Sequence, residues 1–172
     1  MLKIGFTGTR RGMTPAQLRS LRQIFQRICD RRAPDDSGAT KIKDVEVEVH
    51  QGDCEGSDHE CHILALAFGF DVVVHPPTDN KHRACRGRGC KYGKEVRTPR
   101  DYLSRNHSIV DGTMWLISTP KENAEPMNKR GGGTWATVRY GAGELASRQP
   151  PGDARKVIVI MPDGLVKRRE AA

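Results

Sequence analysis

Short β-branched runs alternate along this chain with longer segments of helical period, which is the pattern of a parallel α/β sheet. Strands are expected at Leu2–Thr7, Val45–His50, Phe70–His75, Thr113–Thr119 and Lys156–Met161. Val72-Val73-Val74 and Val157-Ile158-Val159-Ile160 are continuous apolar runs. Strands covered by helices on both faces read this way, so both are assigned to the sheet's centre. Val45-Glu46-Val47-Glu48-Val49 alternates instead, so one of its faces is expected to meet water, at an edge or half-covered position.

Helix starts are well marked. Thr14-Pro15-Ala16-Gln17 offers an N-cap hydroxyl, a proline at the first helical position and a capping-box glutamine. Leu18, Leu21, Ile24, Phe25 and Ile28 then form one stripe. Ser57-Asp58-His59-Glu60 repeats the capping logic ahead of Cys61, Leu64, Ala65 and Phe68, spaced i, i+3, i+4, i+7. Thr98-Pro99-Arg100-Asp101 opens a third helix, through about Val110, and Gly133-Thr134 a fourth, to about Ser147. Arg32–Thr40, Asn80–Lys94 and Pro120–Arg130 read as loops, rich in Pro, Gly, charge or small polar residues.

At 172 residues the chain suits one domain, since single cores usually hold roughly 100–200 residues. Hydrophobic residues make up 36%, and the 18 glycines bring the apolar share near the globular norm of roughly 45–50%. Lys and Arg number 29 against 21 Asp and Glu, a net charge of +8 that favours anionic partners without choosing among nucleotides, nucleic acid and phosphate metabolites. No stretch approaches the roughly 18–20 apolar residues a membrane span needs, and no signal-like apolar block opens the sequence. No membrane partner is expected. Five cysteines, an odd number, point to a reduced, cytoplasmic setting. The segment 163–172 reads as a basic, frayed C-terminal tail.

In an open parallel sheet, ligands bind beyond the carboxyl ends of the strands. Gly8, Thr9 and Arg10 follow the first strand, where small residues let backbone N–H groups approach an anion and the guanidinium can fork onto phosphate. A plain glycine turn reads equally well there. The loop has neither the Gly-Lys-Ser/Thr end of a P-loop nor a full Gly-x-Gly-x-x-Gly. Gly52, Gly56, Ser57 and Asp58 follow the second strand and suit ribose hydroxyls, Asp58 also being placed to offset a helix dipole. Arg130-Gly131-Gly132-Gly133-Thr134 precedes the fourth helix and is the strongest phosphate cradle, with Arg130 or Arg139 adding charge; the alternative is a flexible linker.

His82, Cys85 and Cys90 form the one compact His/Cys set, at looser spacing than a zinc finger, with Cys54 a fourth ligand if the loop folds back. The competing reading is free loop and core thiols, Cys61 being the clear core case. The same loop, from His82 to Lys94, carries the densest positive run but lacks the regular aromatics of a single-strand binder.

Taken in order, Gly8-Thr9-Arg10, Gly52-x-x-x-Gly56-Ser57-Asp58, His75-Pro76-Pro77, Arg105-Asn106-x-x-Ile109-Val110 and Gly132-Gly133-Thr134-Trp135-Ala136-Thr137 resemble the SLOG superfamily of Rossmann-like nucleotide-binding domains. That superfamily joins the DNA-processing protein A core to the "lonely guy" phosphoribohydrolases. The resemblance covers residues 1–162. It implies a three-layer Rossmann-like domain and a nucleotide or nucleotide-derived ligand across the glycine-bearing loops. Phosphate is then expected near Gly131, Gly132, Gly133 and Thr134, and Arg105 and Asn106 match the Arg-Asn pair of DNA-processing-like members.

The resemblance does not carry catalysis across. Where the phosphoribohydrolases have their catalytic glutamate, this chain has Thr137, which cannot stabilise an oxocarbenium-like centre or activate water. Glu144 lies two helical turns too far along. The expectation is therefore a binding domain without an implied cofactor. One rival is an N-glycosidic hydrolase of nucleoside monophosphates using Arg105 and a carboxylate, Asp58 or Asp111. The other is a single-stranded DNA-binding module. Self-association into a homo-oligomer is also expected.

Overall fold

The computed structural model describes residues 1–30, 46–84, 93–127, 132–144 and 156–169. Seven strands among these residues form one sheet: β1 (Leu2–Gly8), β2 (Val47–Gln51), β3 (Asp71–Val74), β4 (Glu95–Val96), β5 (Trp115–Thr119), β6 (Lys156–Ile160) and β7 (Val166–Arg169). Their order is β4-β3-β2-β1-β5-β6-β7, parallel except for β7. The chain steps outward from β1 to β4, then crosses to the other side of β1 for β5. This reversal is the switch point at which α/β sheets open a crevice beyond their strand ends.

Among the described residues, four α-helices complete a three-layer Rossmann-like α/β domain: α1 (Pro15–Asp30), α2 (Ser57–Ala67), α3 (Tyr102–Asp111) and α4 (Gly133–Gly141). On one face, Leu21 and Phe25 of α1 and Cys61, Leu64 and Ala65 of α2 pack with Ile4, Phe6, Val49, Val72, Ile117 and Ile160. On the other, Val110 of α3 and Trp135, Val138 and Tyr140 of α4 pack with Leu116, Val157 and Val159. The α1 start is a reciprocal capping box: Thr14 N–H donates to Gln17 Oε1 at 3.0 Å and Gln17 N–H to Thr14 Oγ1 at 3.1 Å. Gln17 Nε2 also donates to the carbonyls of Pro120 and Ile160, tying the helix to the ends of β5 and β6.

Several local expectations need correcting. The continuous apolar strands β3 and β6 are interior but not central: each is flanked by a short edge strand, and β1 is the middle of the sheet. A run buried on both faces reports that both faces are covered, not where the strand stands in the sheet. The alternating β2 is no edge strand, for all five of its residues are buried between β1 and β3. Its polar side chains meet one another instead of water: Glu48 Oε1 lies 2.8 Å from His50 Nε2, and His50 Nδ1 2.9 Å from His75 Nε2.

Helix caps shift as well. α2 is capped by the backbone of Gly56, with Ser57 already inside the first turn, and α3 begins at an Asp101 cap that accepts from the N–H groups of Leu103 and Ser104. α4 stops at Gly141, short of the expected Ser147. Nor does the tail fray throughout. Residues 166–169 form the antiparallel edge strand β7, and Arg169 clamps Glu144 through Nε and Nη2, at 2.6 and 2.7 Å, and Glu125 through Nη1 at 2.7 Å.

Candidate functional site

The carboxyl ends of the central strands open into a cavity of about 550 Å³, within the usual range for small-molecule sites. Gly8, Thr9, Arg10 and Arg11 approach from the turn after β1, Cys54 and Asp58 from the loop into α2, and Tyr102, Arg105 and Asn106 from α3. Lys121 and Glu122 come from the segment after β5, and Gly132, Gly133, Thr134 and Trp135 from the start of α4. Segments more than a hundred residues apart in sequence therefore face one space.

The turns are held by backbone. Thr9 N–H donates to the Thr119 carbonyl at 3.2 Å, and the Thr9 carbonyl accepts from Gly12 at 3.2 Å and Ser57 at 3.1 Å. Gly56 has φ +81°, and a Cβ there would lie 2.4 Å from the Arg10 carbonyl oxygen, so only glycine lets the two turns meet.

Arg105 is the charged centre of the cavity wall. It is 5% exposed; its Nη1 lies 3.5 Å from Asp58 Oδ2 and its Nη2 is 3.4 Å from Cys54 Sγ. Its Nε is buried without a partner among the described residues. Gly52 makes the seat for this group, since a Cβ there would fall 1.2 Å from Nη1. Burial pushes the Asp58 carboxyl up to about 6 despite the Arg105 charge and the Cys54 N–H that favour its ionised form. Burial and the Asp58 charge also raise the Cys54 thiol, which is thus a poor nucleophile.

At the α4 end, Gly132 caps the helix with no side-chain hydrogen bond, leaving the first-turn N–H groups without intrahelical acceptors at the cavity edge. Asn106 Nδ2 donates to Thr137 Oγ1 at 2.8 Å, and that hydroxyl donates to the Gly133 carbonyl at 2.7 Å. Thr137 is a strut that fixes the glycine turn from behind.

The expected site residues divide accordingly. Gly8, Thr9, Arg10, Asp58, Arg105, Asn106, Gly132, Gly133 and Thr134 share the cavity. Gly52, Gly56 and Ser57 do not line it; they sit behind it, Gly52 under Arg105, Gly56 against Arg10, and Ser57 fully buried beside Gly8. Gly131 and Arg130 lie outside the described residues, as do Cys85 and Cys90.

Arg139 is not at the cavity but bonded to Glu125 at 2.9 Å. Asp111, the other carboxylate considered, accepts from Tyr140 Oη at 2.9 Å, away from the cavity. His82 Nδ1 pairs with Glu55 Oε1 at 2.7 Å. Among the described residues, no group of three or more His, Cys, Asp or Glu is placed to hold a metal ion. Sequence reasoning missed Tyr102, Lys121 and Glu122, whose one signal was position: one follows the α3 cap and two follow a strand end.

No protein-family model and no curated protein matches the chain. One solved structure does: the X-ray structure of TM1055, a structural genomics target, at 14% identity, 69% of this chain and a TM-score of 0.42. The match spans 61% of that protein's chain. Among the described residues, no helix is long and apolar enough to cross a membrane.

Proposed function

We propose that the chain is a SLOG-type domain that binds a nucleotide or nucleotide-derived small molecule in the cavity at the strand ends. The observation that carries this reading is the convergence of the Gly8–Arg10 turn, Asp58, Arg105 and the Gly132–Thr134 turn on one space. Phosphate sits on the first-turn N–H groups of α4, where the helix dipole favours negative charge. Arg10, Arg11 and Lys121 add positive charge around it, and Asp58 accepts from sugar hydroxyls. Self-association and a cytoplasmic setting belong to the same proposal.

Mass spectrometry of small molecules retained by the purified protein identifies the ligand, and calorimetry with Thr134→Glu tests the site. A carboxylate at the mouth of the amide cradle should abolish binding of the retained nucleotide while circular dichroism stays unchanged. Unaltered affinity overturns the site. Affinity confined to oligonucleotides, and falling linearly with log salt, identifies a single-stranded DNA module instead.

A second reading, hydrolysis of the N-glycosidic bond of nucleoside monophosphates, is favoured by one feature. Asp58, held at about 6 beside Arg105, is poised to exchange a proton near neutral pH. Against it stands Thr137, buried and committed to Asn106 and Gly133. Release of free base that disappears in Asp58→Asn would establish the hydrolase; no release from any monophosphate removes it.

A further inference from the structure

A second cavity, of about 350 Å³, opens on the other side of Arg105, lined by His50, His75, Arg97, Thr98, Arg100, Arg105, Ser108 and Gly112. It exists because α3 and α4 pack over β1, β5 and β6 and, among the described residues, leave the same face of β2 and β3 without a helix of its own. That helix-free patch is polar though buried, and β2 presents Glu48 and His50 there beside His75.

Among the described residues, three that bear a guanidinium line the cavity and no carboxylate does. Arg100 Nη1 donates to Ser108 Oγ at 3.0 Å, and Arg97 Nε lies 3.1 Å from Oε1 of Glu95, a half-exposed carboxylate that is not itself a lining residue. The buried Arg105 Nε has no partner among the described residues. His50 and His75 face this charge as neutral imidazoles, because burial holds both below the ordinary range, His75 to about 3. They serve as hydrogen-bonding floor, not counter-charge.

We propose that this second cavity is a separate binding site for a small phosphate-class oxyanion, held by Arg97 and Arg100 at the mouth and by Arg105 from within. It goes beyond the nucleotide reading and does not rest on it: Thr134 and the α4 turn take no part, and Arg105 alone is common to the two cavities. Guanidinium groups suit the task, since their fixed fork matches oxyanion geometry and they stay charged at every relevant pH.

The test uses inorganic phosphate as probe, by calorimetry on the whole chain. Thr134→Glu, which obstructs the first cavity, should leave one phosphate site intact. Arg97→Gln with Arg100→Gln, both at exposed positions, should weaken that site about tenfold or more in either background, with an unchanged circular dichroism spectrum. Wild-type-like phosphate binding by the double variant, or loss of all phosphate binding in Thr134→Glu, overturns the second site. An oligonucleotide that fails to displace phosphate from Thr134→Glu supports a small anion as the natural occupant; displacement overturns that assignment in favour of a phosphodiester chain.

Discussion

Replacing Gly52 by alanine should be out of proportion to the one methyl group it adds. The new Cβ would fall 1.2 Å from Arg105 Nη1, 2.4 Å from its Cζ and 2.8 Å from Asp58 Oδ2, so the guanidinium must leave its seat. Displacing one partner of a buried ion pair costs roughly 3–5 kcal/mol. Asp58 can take up a proton once its neighbour withdraws, which holds the loss to the low end, about 3 kcal/mol. For a chain of 172 residues, each kcal/mol lowers Tm by roughly 2–4 °C, so a fall of about 6–12 °C is expected.

Differential scanning calorimetry of Gly52→Ala, Arg105→Met and the double variant forms the cycle. If the methyl acts through the guanidinium, adding Gly52→Ala to Arg105→Met should cost under about 1 kcal/mol more. A single variant melting within about 2 °C of the parent, or a double variant whose losses simply add, refutes the account.

Two buried groups should oppose one another on acidification. Asp58 has its folded pKa raised from 3.8 to about 6, so the folded state holds a proton that the unfolded chain has released. Its contribution therefore improves as pH falls through that window. His75 has its pKa depressed from 6.5 to about 3, so its contribution is full above about 6.5 and is lost as pH falls. Urea midpoints between about pH 6 and 4 should thus fall more steeply in Asp58→Asn than in the parent and less steeply in His75→Gln; the reverse order contradicts both assignments. Thr137→Val removes the hydroxyl between Asn106 and Gly133 and leaves buried Asn106 Nδ2 without its acceptor. A stability loss of about 1–3 kcal/mol in urea unfolding is expected, and an unchanged midpoint shows that the strut carries no load.

The fold was legible because its signals are local. The capping box at Thr14 and Gln17, the stripe through Cys61, Leu64 and Ala65, and the apolar runs of β3 and β6 each declare an element within a few residues. Which glycines meet a ligand was less legible. Gly52 and Gly132 look alike in sequence, yet one seats a side chain that arrives from α3 and the other opens on the cavity. The polar face of β2 misled for a similar reason: alternation marks where apolar packing stops, and here it stops at a buried histidine pair and an arginine-lined hollow. β7 left almost no trace, because Val166-Lys167-Arg168-Arg169 is an edge strand whose pairing depends on β6.

The place of β1 in the sheet also governs how the molecule is built. Ile4 pairs with Trp115, a partner more than a hundred residues downstream, while its other neighbour β2 arrives much earlier. During synthesis one flank of Leu2–Gly8 stays open until β5 emerges from the ribosome, so a largely apolar ribbon waits without its complement. Such long-range closure slows folding and invites self-adhesion meanwhile. Yield from an expression host should therefore respond more to conditions that shelter nascent chains than to changes on the finished surface.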